Sequence, residues 1–198
     1  TIDPAYIVHL QNLLPAWKKH LLSTNRLINA SFDFAKLTVK EDQFIYDDIE
    51  ADKIVFCDGV QGNENPFFSL LPFALNKGEA LIIEAPDLPA DFIYKKSLTL
   101  APFGEPGFYW AGTNYIWEFE DDLPTATFRS STEQTLKSWL KVPFKVVDHK
   151  AALRPATIER RPFAGFHPLH QNVGILNGMG TKGCSLAPYF ANQLVENI

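Results

Sequence analysis

Apolar and polar positions alternate along this chain in blocks that change period several times, and each change marks an expected element. Near the start, Tyr6, Ile7, Leu10, Leu13 and Leu14 recur at helical spacing behind Asp3, a suitable N-cap, and Pro4, a residue suited to the first helical position. They predict a helix to about Leu22. The segments SFDFAKLTV and QFIYDDIEADKIVFCDG then show short apolar alternations parted by the polar stretch Lys40 to Gln43, the pattern of a β-meander. The last of these runs, Lys53 to Cys57, is nearly all apolar and stops at Asp58-Gly59. That ending fits a buried strand feeding a ligand-side loop, and it equally fits a plain hairpin corner.

Breakers at Gly62, Asn63, Asn65 and Pro66 make residues 61–72 a loop, after which a second unit begins. Strands are expected at Ala80 to Glu84, Ser97 to Ala101 and Phe108 to Gly112. A helix should start at Ser131, capped by Ser131 or Thr132, carry Leu136, Trp139 and Leu140 on its apolar face, and end before Pro143. Phe144 to Asp148 reads as a strand. Aromatic residues gather at Phe103, Phe108, Tyr109, Trp110, Tyr115, Trp117 and Phe119, where they form either core or the wall of an apolar ligand pocket. Gly174 to Ala191 closes the pattern with a short apolar strand at Ile175-Leu176, the glycines Gly178, Gly180 and Gly183, and a helix over Ser185 to Glu196 with Pro188 in its first turn. Leu186, Phe190, Leu194 and Val195 fall on one face of that helix. Such a strand, turn and helix place free amides and a helix dipole before a negatively charged group, although the same pattern also serves as a tight connection.

Composition narrows the classes. The chain has 198 residues, 46% of them hydrophobic, enough for a core in one domain or two small ones. Eighteen basic residues against 23 acidic ones give a net charge of −5, and the absence of a basic run argues against nucleic acid as a main partner. No apolar run reaches membrane-spanning length, and no basic segment precedes an apolar core in the manner of a secretory signal. The two cysteines, Cys57 and Cys184, match no metal-ligand spacing, so a reducing cytoplasm is the expected compartment. His167 and His170 read as a surface turn rather than a metal pair. A chain that begins with Thr1 is expected to be a fragment or a processed form.

Four motifs in order carry a family resemblance. TIDPAYIVHLQNLL with SFDFAKL, EADKIVFCDG, LRPATIERRPFAGFHP and NGMGTKGCSLAP together resemble the C-terminal part of flavoproteins of the glycine oxidase and D-amino-acid oxidase type. The resemblance implies an α+β fold: a substrate-binding domain with a mostly antiparallel sheet, joined to part of a Rossmann-like FAD-binding domain. It assigns residues 1–60 and 153–198 to the FAD-binding domain and 61–152 to the substrate domain. The N-terminal dinucleotide-binding βαβ unit, with its Gly-x-Gly-x-x-Gly turn, is missing from this sequence. Other departures are Asp58 where a small residue is usual, Lys77-Gly78-Glu79 in place of Arg-Gly-Gln, Glu159-Arg160 in place of Asp-Gly, and Met179 and Lys182 where histidines are common.

The implied activity is oxidation of the C–N bond of a small amino acid or secondary amine by hydride transfer to noncovalent FAD. Arg154 matches the position that grips a substrate carboxylate, and Trp110 belongs to the substrate wall. Phe34, Cys57, Asp58, Gly59, Gly178, Met179, Gly180, Thr181, Lys182, Gly183 and Cys184 match the cofactor side. No general base is required if the amine enters neutral. Two other readings stand beside this one: a flavin enzyme acting on a larger substrate such as a modified tRNA wobble uridine, and a noncatalytic folded remainder that holds no FAD.

Overall fold

Leu10–Ser23 forms the first helix, α1, in this computed structural model, which describes residues 3–40 and 43–196. It opens later than the Asp3-Pro4 pair because Tyr6, Ile7 and Val8 intervene, and aromatic and β-branched side chains lose rotamer freedom in a helix. None of its residues is buried. The apolar stripe read from the sequence is present but faces solvent, with Leu13 53% and Trp17 56% exposed.

The meander follows as β1 (Leu37–Val39), β2 (Phe44–Tyr46) and β3 (Ile49–Ala51), all antiparallel. The polar connection expected at Lys40 to Gln43 lies partly outside the described residues, as does Thr1. Phe34–Lys36 is a 3-10 turn rather than part of a strand, because the Asp33 carboxylate caps it by accepting from the Ala35 amide. β4 (Ile54–Phe56) leaves the meander altogether. A 3-10 segment at Gly59–Glu64 then leads through the loop to β5 (Asn76–Glu84).

The middle of the chain supplies β6 (Tyr94–Lys95), β7 (Thr99–Pro102), β8 (Phe108–Gly112), α2 (Ala126–Trp139) and β9 (Lys145–Arg154). The five strands lie in the order β6-β7-β8-β5-β9. α2 begins before Ser131 because Thr125, not Ser131, is the N-cap: its hydroxyl accepts from the Phe128 amide. From that start, Phe128, Thr132 and Leu136 come at four-residue spacing on the face turned to the sheet. β10 (Phe163–Phe166), β11 (Val173–Asn177) and α3 (Gly183–Val195) complete the chain. Because α3 starts at Gly183, Pro188 falls in its second turn, and Val195 points outward while Leu194 is buried.

By packing, the chain divides into two compact units, one of Thr1–Ile28 with Lys77–Leu153 and one of Asn29–Asn76 with Arg154–Ile198. These boundaries differ from the divisions at 60 and 152 expected from sequence. Residues 61–76 belong to the second unit because Gly62, Asn65 and Phe68 are buried there, and residues 1–28 join the first.

In the first unit, alternate residues of the sheet (Leu81 and Ile83 on β5, Tyr109 and Ala111 on β8) pack with Leu100 and with Leu136 of α2 in one cluster. The Tyr109 hydroxyl donates to the Leu88 carbonyl. Glu79 is buried under the start of α2. Its Oε1 accepts from Thr125 Oγ1 (2.9 Å) and Asn114 Nδ2 (3.4 Å), and its Oε2 accepts from the Thr125 amide (2.6 Å). His149 Nε2 lies 3.0 Å from the same Oε2 without hydrogen-bond alignment. Lys77, also buried, donates to the Leu123 carbonyl (2.9 Å) and lies 3.5 Å from Asp121. In the second unit, Phe44, Phe56, Phe68, Val173 and Ile175 form the core. The fold is α+β, and in the larger sheet β6 with β7, β7 with β8 and β8 with β5 pair antiparallel.

Leu136→Ala should lower unfolding stability by about 2–5 kcal/mol, the range for truncating a fully buried leucine, whereas Leu14→Ala on the exposed face of α1 should stay within about 0.5 kcal/mol. Urea denaturation of the two variants beside the parent chain checks the contrast. Similar losses in both would mean that α1 is packed.

Candidate functional site

The second unit brings most of the expected site residues together, and the pairing of β4 with β11 is the reason. These strands run parallel with Ile54 opposite Val173 and Phe56 opposite Ile175, so both finish at the same edge of the sheet. The Lys53 to Cys57 run is therefore no hairpin corner: it pairs in parallel at the edge of its sheet, with Phe56 buried and Ile54 and Val55 half-buried. The Cys57-Asp58-Gly59 turn leaves one strand end, and the Gly178 to Gly183 turn leaves the other.

Asn177, the last residue of β11, links the turns. Its amide Nδ2 donates to Asp58 Oδ1 and to the Gly59 carbonyl, both at 2.8 Å, while its Oδ1 accepts from the Gly178 amide at 2.7 Å. The other carboxylate oxygen of Asp58 accepts from Asn65 Nδ2 at 2.8 Å, and Asn65 Oδ1 accepts from the Phe67 amide. Asn65 and Asn177 are both buried. The acid that replaces a small residue therefore turns both oxygens onto neighbouring amides. Gly62 is required beside it, because a Cβ there would lie 2.4 Å from Asn177 Nδ2 and 2.7 Å from Asp58 Oδ1.

The Arg154 to Thr157 segment packs against the glycine turn. The Gly180 amide donates to the Pro155 carbonyl (3.0 Å), and a Cβ on Gly178, whose φ is +74°, would meet Thr157 Cγ2 at 2.5 Å. The same segment pairs with residues 72–76: Phe73 bridges Thr157, and the Ala74 amide donates to the Ala156 carbonyl. Half-buried Arg154 donates through Nη1 to Oδ1 of buried Asn76 at 2.8 Å.

In front of the turns there is room. A Cβ on Gly59 or Gly183 would have no heavy atom within 4 Å. Lys182 is the N-cap of α3 and offers no side-chain cap, so the first-turn amides at Gly183 and Cys184 face outward with the positive end of the helix dipole. Thr181, Lys182 and Cys184 are exposed, and Met179 is half-buried. Phe34 is exposed on one side and stacks on Phe56 on the other, with ring centroids 5.5 Å apart. Cys57 is surface-exposed as a residue, yet desolvation of its sulfur first, and the neighbouring Asp58 charge second, raise its thiol above the ordinary cysteine pKa.

Trp110 belongs to the other unit. It sits on β8 between Tyr109 and Ala111, whose side chains pack toward α2, so its ring projects from the opposite sheet face. Lys77 and Glu79, the changed residues of the Arg-Gly-Gln position, act inside that unit by holding the 114–125 segment. Sequence reading missed Asn65, Asn76 and Asn177. Their signal was a polar amide at the end of an apolar run or in a loop, a pattern shared with ordinary turns. Among the described residues, no group of three or more His, Cys, Asp or Glu gathers as a metal site.

No family model matches the chain. Among solved structures, its fold is similar to that of iminodiacetate oxidase from Chelativorans sp. BNC1 (TM-score 0.72, 19% identity, 92% of this chain and 53% of that one). It is also similar to glycine oxidase from Bacillus cereus (0.64, 15%, 82% and 48%) and to L-α-glycerophosphate oxidase from Mycoplasma pneumoniae, solved with FAD bound (0.58, 11%, 79% and 47%). The chain thus has the fold of part of these enzymes and spans about half their length. No helix among the described residues is long and apolar enough to cross a membrane.

Gly178→Ala should cost more than 1 kcal/mol, through positive φ and the Thr157 contact, whereas Gly183→Ala should fold normally; thermal denaturation separates the two. Because the thiolate is the nucleophile and the Cys57 pKa is raised, alkylation of Cys57 at pH 8 should run slower than that of an unstructured cysteine peptide and approach it as pH rises. Mass-resolved iodoacetamide labelling across pH 7–10 reads this, and a rate at pH 8 above the peptide's would contradict it.

Proposed function

We propose that the chain is part of an FAD-dependent oxidoreductase of the amino-acid oxidase type, oxidising the C–N bond of a small amino acid or secondary amine. The observation that carries the reading is the convergence, within one unit, of two glycine turns at neighbouring parallel strand ends, with the Arg154 to Thr157 segment docked against the second of them. The similar solved enzymes supply the same direction: two are oxidases of small amines or amino acids by name, and one holds FAD.

The residues present fit noncovalent FAD. Open space before Gly59 and Gly183, outward amides at the start of α3 and the exposed ring of Phe34 suit a large planar, anionic group. We assign the cofactor side to Phe34, Cys57, Gly59 and Gly178 to Cys184, and the substrate carboxylate to Arg154, all in the unit formed by residues 29–76 and 154–198. FAD, when bound, accepts the hydride that the substrate carbon loses. The protein's part is to bind and orient. The α3 amides and the Lys182 ammonium favour negative charge on the group before them. Arg154, a planar fork of donors, takes the substrate carboxylate, and Asn76 holds its orientation from behind. Trp110 contributes apolar surface. Two free cysteines and the acidic composition fit a cytoplasmic enzyme.

A visible absorption spectrum of the purified chain, with FAD and then with small amino acids under anaerobic conditions, tests the reading. A bound flavin spectrum that bleaches with substrate supports it. Arg154→Ala should keep the flavin and raise the substrate concentration needed for bleaching by at least tenfold, and an unchanged titration would remove Arg154 from the carboxylate role. A chain that takes up no FAD would favour the noncatalytic reading for this half-length polypeptide, with activity confined to a longer one.

A further inference from the structure

Asp58 is placed among the cofactor-side residues by position, but its contacts point elsewhere. Both carboxylate oxygens are engaged from behind the turn, Oδ1 by Asn177 and Oδ2 by Asn65, each at 2.8 Å. The donors are neutral amides on buried residues. The Asn177 side chain uses both of its polar atoms across the two strand ends: it donates to Asp58 and the Gly59 carbonyl and accepts from Gly178. Hydrogen bonds to a charged partner are stronger than neutral ones, so this is a strong tie between segments far apart in sequence.

We propose that Asn177 is a positioning residue for the cofactor, acting with Asp58 and Asn65 as a clamp. The clamp sets the spacing of the Cys57-Asp58-Gly59 and Gly178 to Gly183 turns before any ligand arrives. The inference rests on the FAD reading above and deepens it. Asp58 is the internal acceptor of the clamp and not a cofactor contact. An anionic cofactor meets no free carboxylate there, because the amide donors hold that charge toward the interior. Gly62 completes the device by leaving the space that the Asn177 amide occupies. Preorganised turns bind more tightly because no ordering is left to be done on association.

The test compares the parent chain with Asn177→Asp, Asp58→Asn and the double exchange Asp58→Asn/Asn177→Asp. Asn177→Asp sets two carboxylates against each other. The double exchange restores a donor facing an acceptor between positions 58 and 177, while setting a carboxylate oxygen where Nδ2 met the Gly59 carbonyl. Hydrogen exchange of peptides covering 57–65 and 173–184 is read without cofactor, and FAD uptake is read by absorbance. Asn177→Asp should speed exchange in both peptides together and weaken FAD uptake at least tenfold, while the double exchange should recover part of each. If Asn177→Asp fails to fold by circular dichroism, Gly62→Ala serves in its place, since it wedges the clamp without a charge. Exchange unchanged in the single variants, or a double exchange no better than Asn177→Asp, would overturn the clamp. Exchange that responds while FAD affinity does not would overturn the positioning role alone. A parent chain that takes up no FAD would overturn, for this half-length polypeptide, both cofactor binding and the clamp's role in it, with the exchange data still deciding whether the clamp exists.

Discussion

The parallel pairing of β4 with β11 is the constraint on which the second unit depends. Two short strands, each of only a few apolar residues, come together in one register, and that register fixes where both glycine turns emerge. A slip by one residue would turn every side chain to the other face, taking Phe56 and Ile175 out of the core and Asn177 away from Asp58. Hydrophobic burial and the polar tie therefore specify the same arrangement. Local and long-range preferences that agree in this way are what make a structure unique. The Arg154 to Thr157 segment then has a single seat, against the turn that β11 has already placed.

The first unit is secured by a different kind of contact. Its sheet and α2 pack through apolar side chains, but the long connection between β8 and α2 is held by buried charges, Glu79 at the Thr125 cap and Lys77 at the Leu123 carbonyl. A buried carboxylate is costly unless its lone pairs are satisfied, and Glu79 accepts from Thr125 and Asn114. These contacts explain how Lys77-Gly78-Glu79 can stand where a related motif carries Arg and Gln. The changed pair has internal partners of its own.

Much of this was legible in the sequence, and the misses have physical causes. Strands β5, β8 and β11 and helix α3 announced themselves because their apolar runs are bounded by glycine, proline or a change of period. The start of α2 was hidden because Thr125 follows Pro124 in a polar stretch, and capping by a threonine depends on which amide it reaches. The early part of α1 was over-read because the cap signal at Asp3-Pro4 hid the poor helix formers Tyr6, Ile7 and Val8 behind it. At the site, glycines and Arg154 were visible as residue types with special geometry. The amides of Asn65, Asn76 and Asn177 were not, since an asparagine gains its role only from partners that the fold brings near. Asp58 was legible as an oddity, and only its neighbours explain it.

Chain order gives the tie between the strand ends one more consequence. Asp58 and Asn177 are 119 positions apart, with the whole five-stranded sheet encoded between them. On a ribosome adding about 5–20 residues per second, β4 waits roughly 6–24 s after its own synthesis before β11 exists. Throughout that interval its apolar edge has no mate, while the intervening sheet, whose contacts are nearer in sequence, is free to form. The five-stranded sheet is thus complete as a sequence before the unit that carries the glycine turns can close.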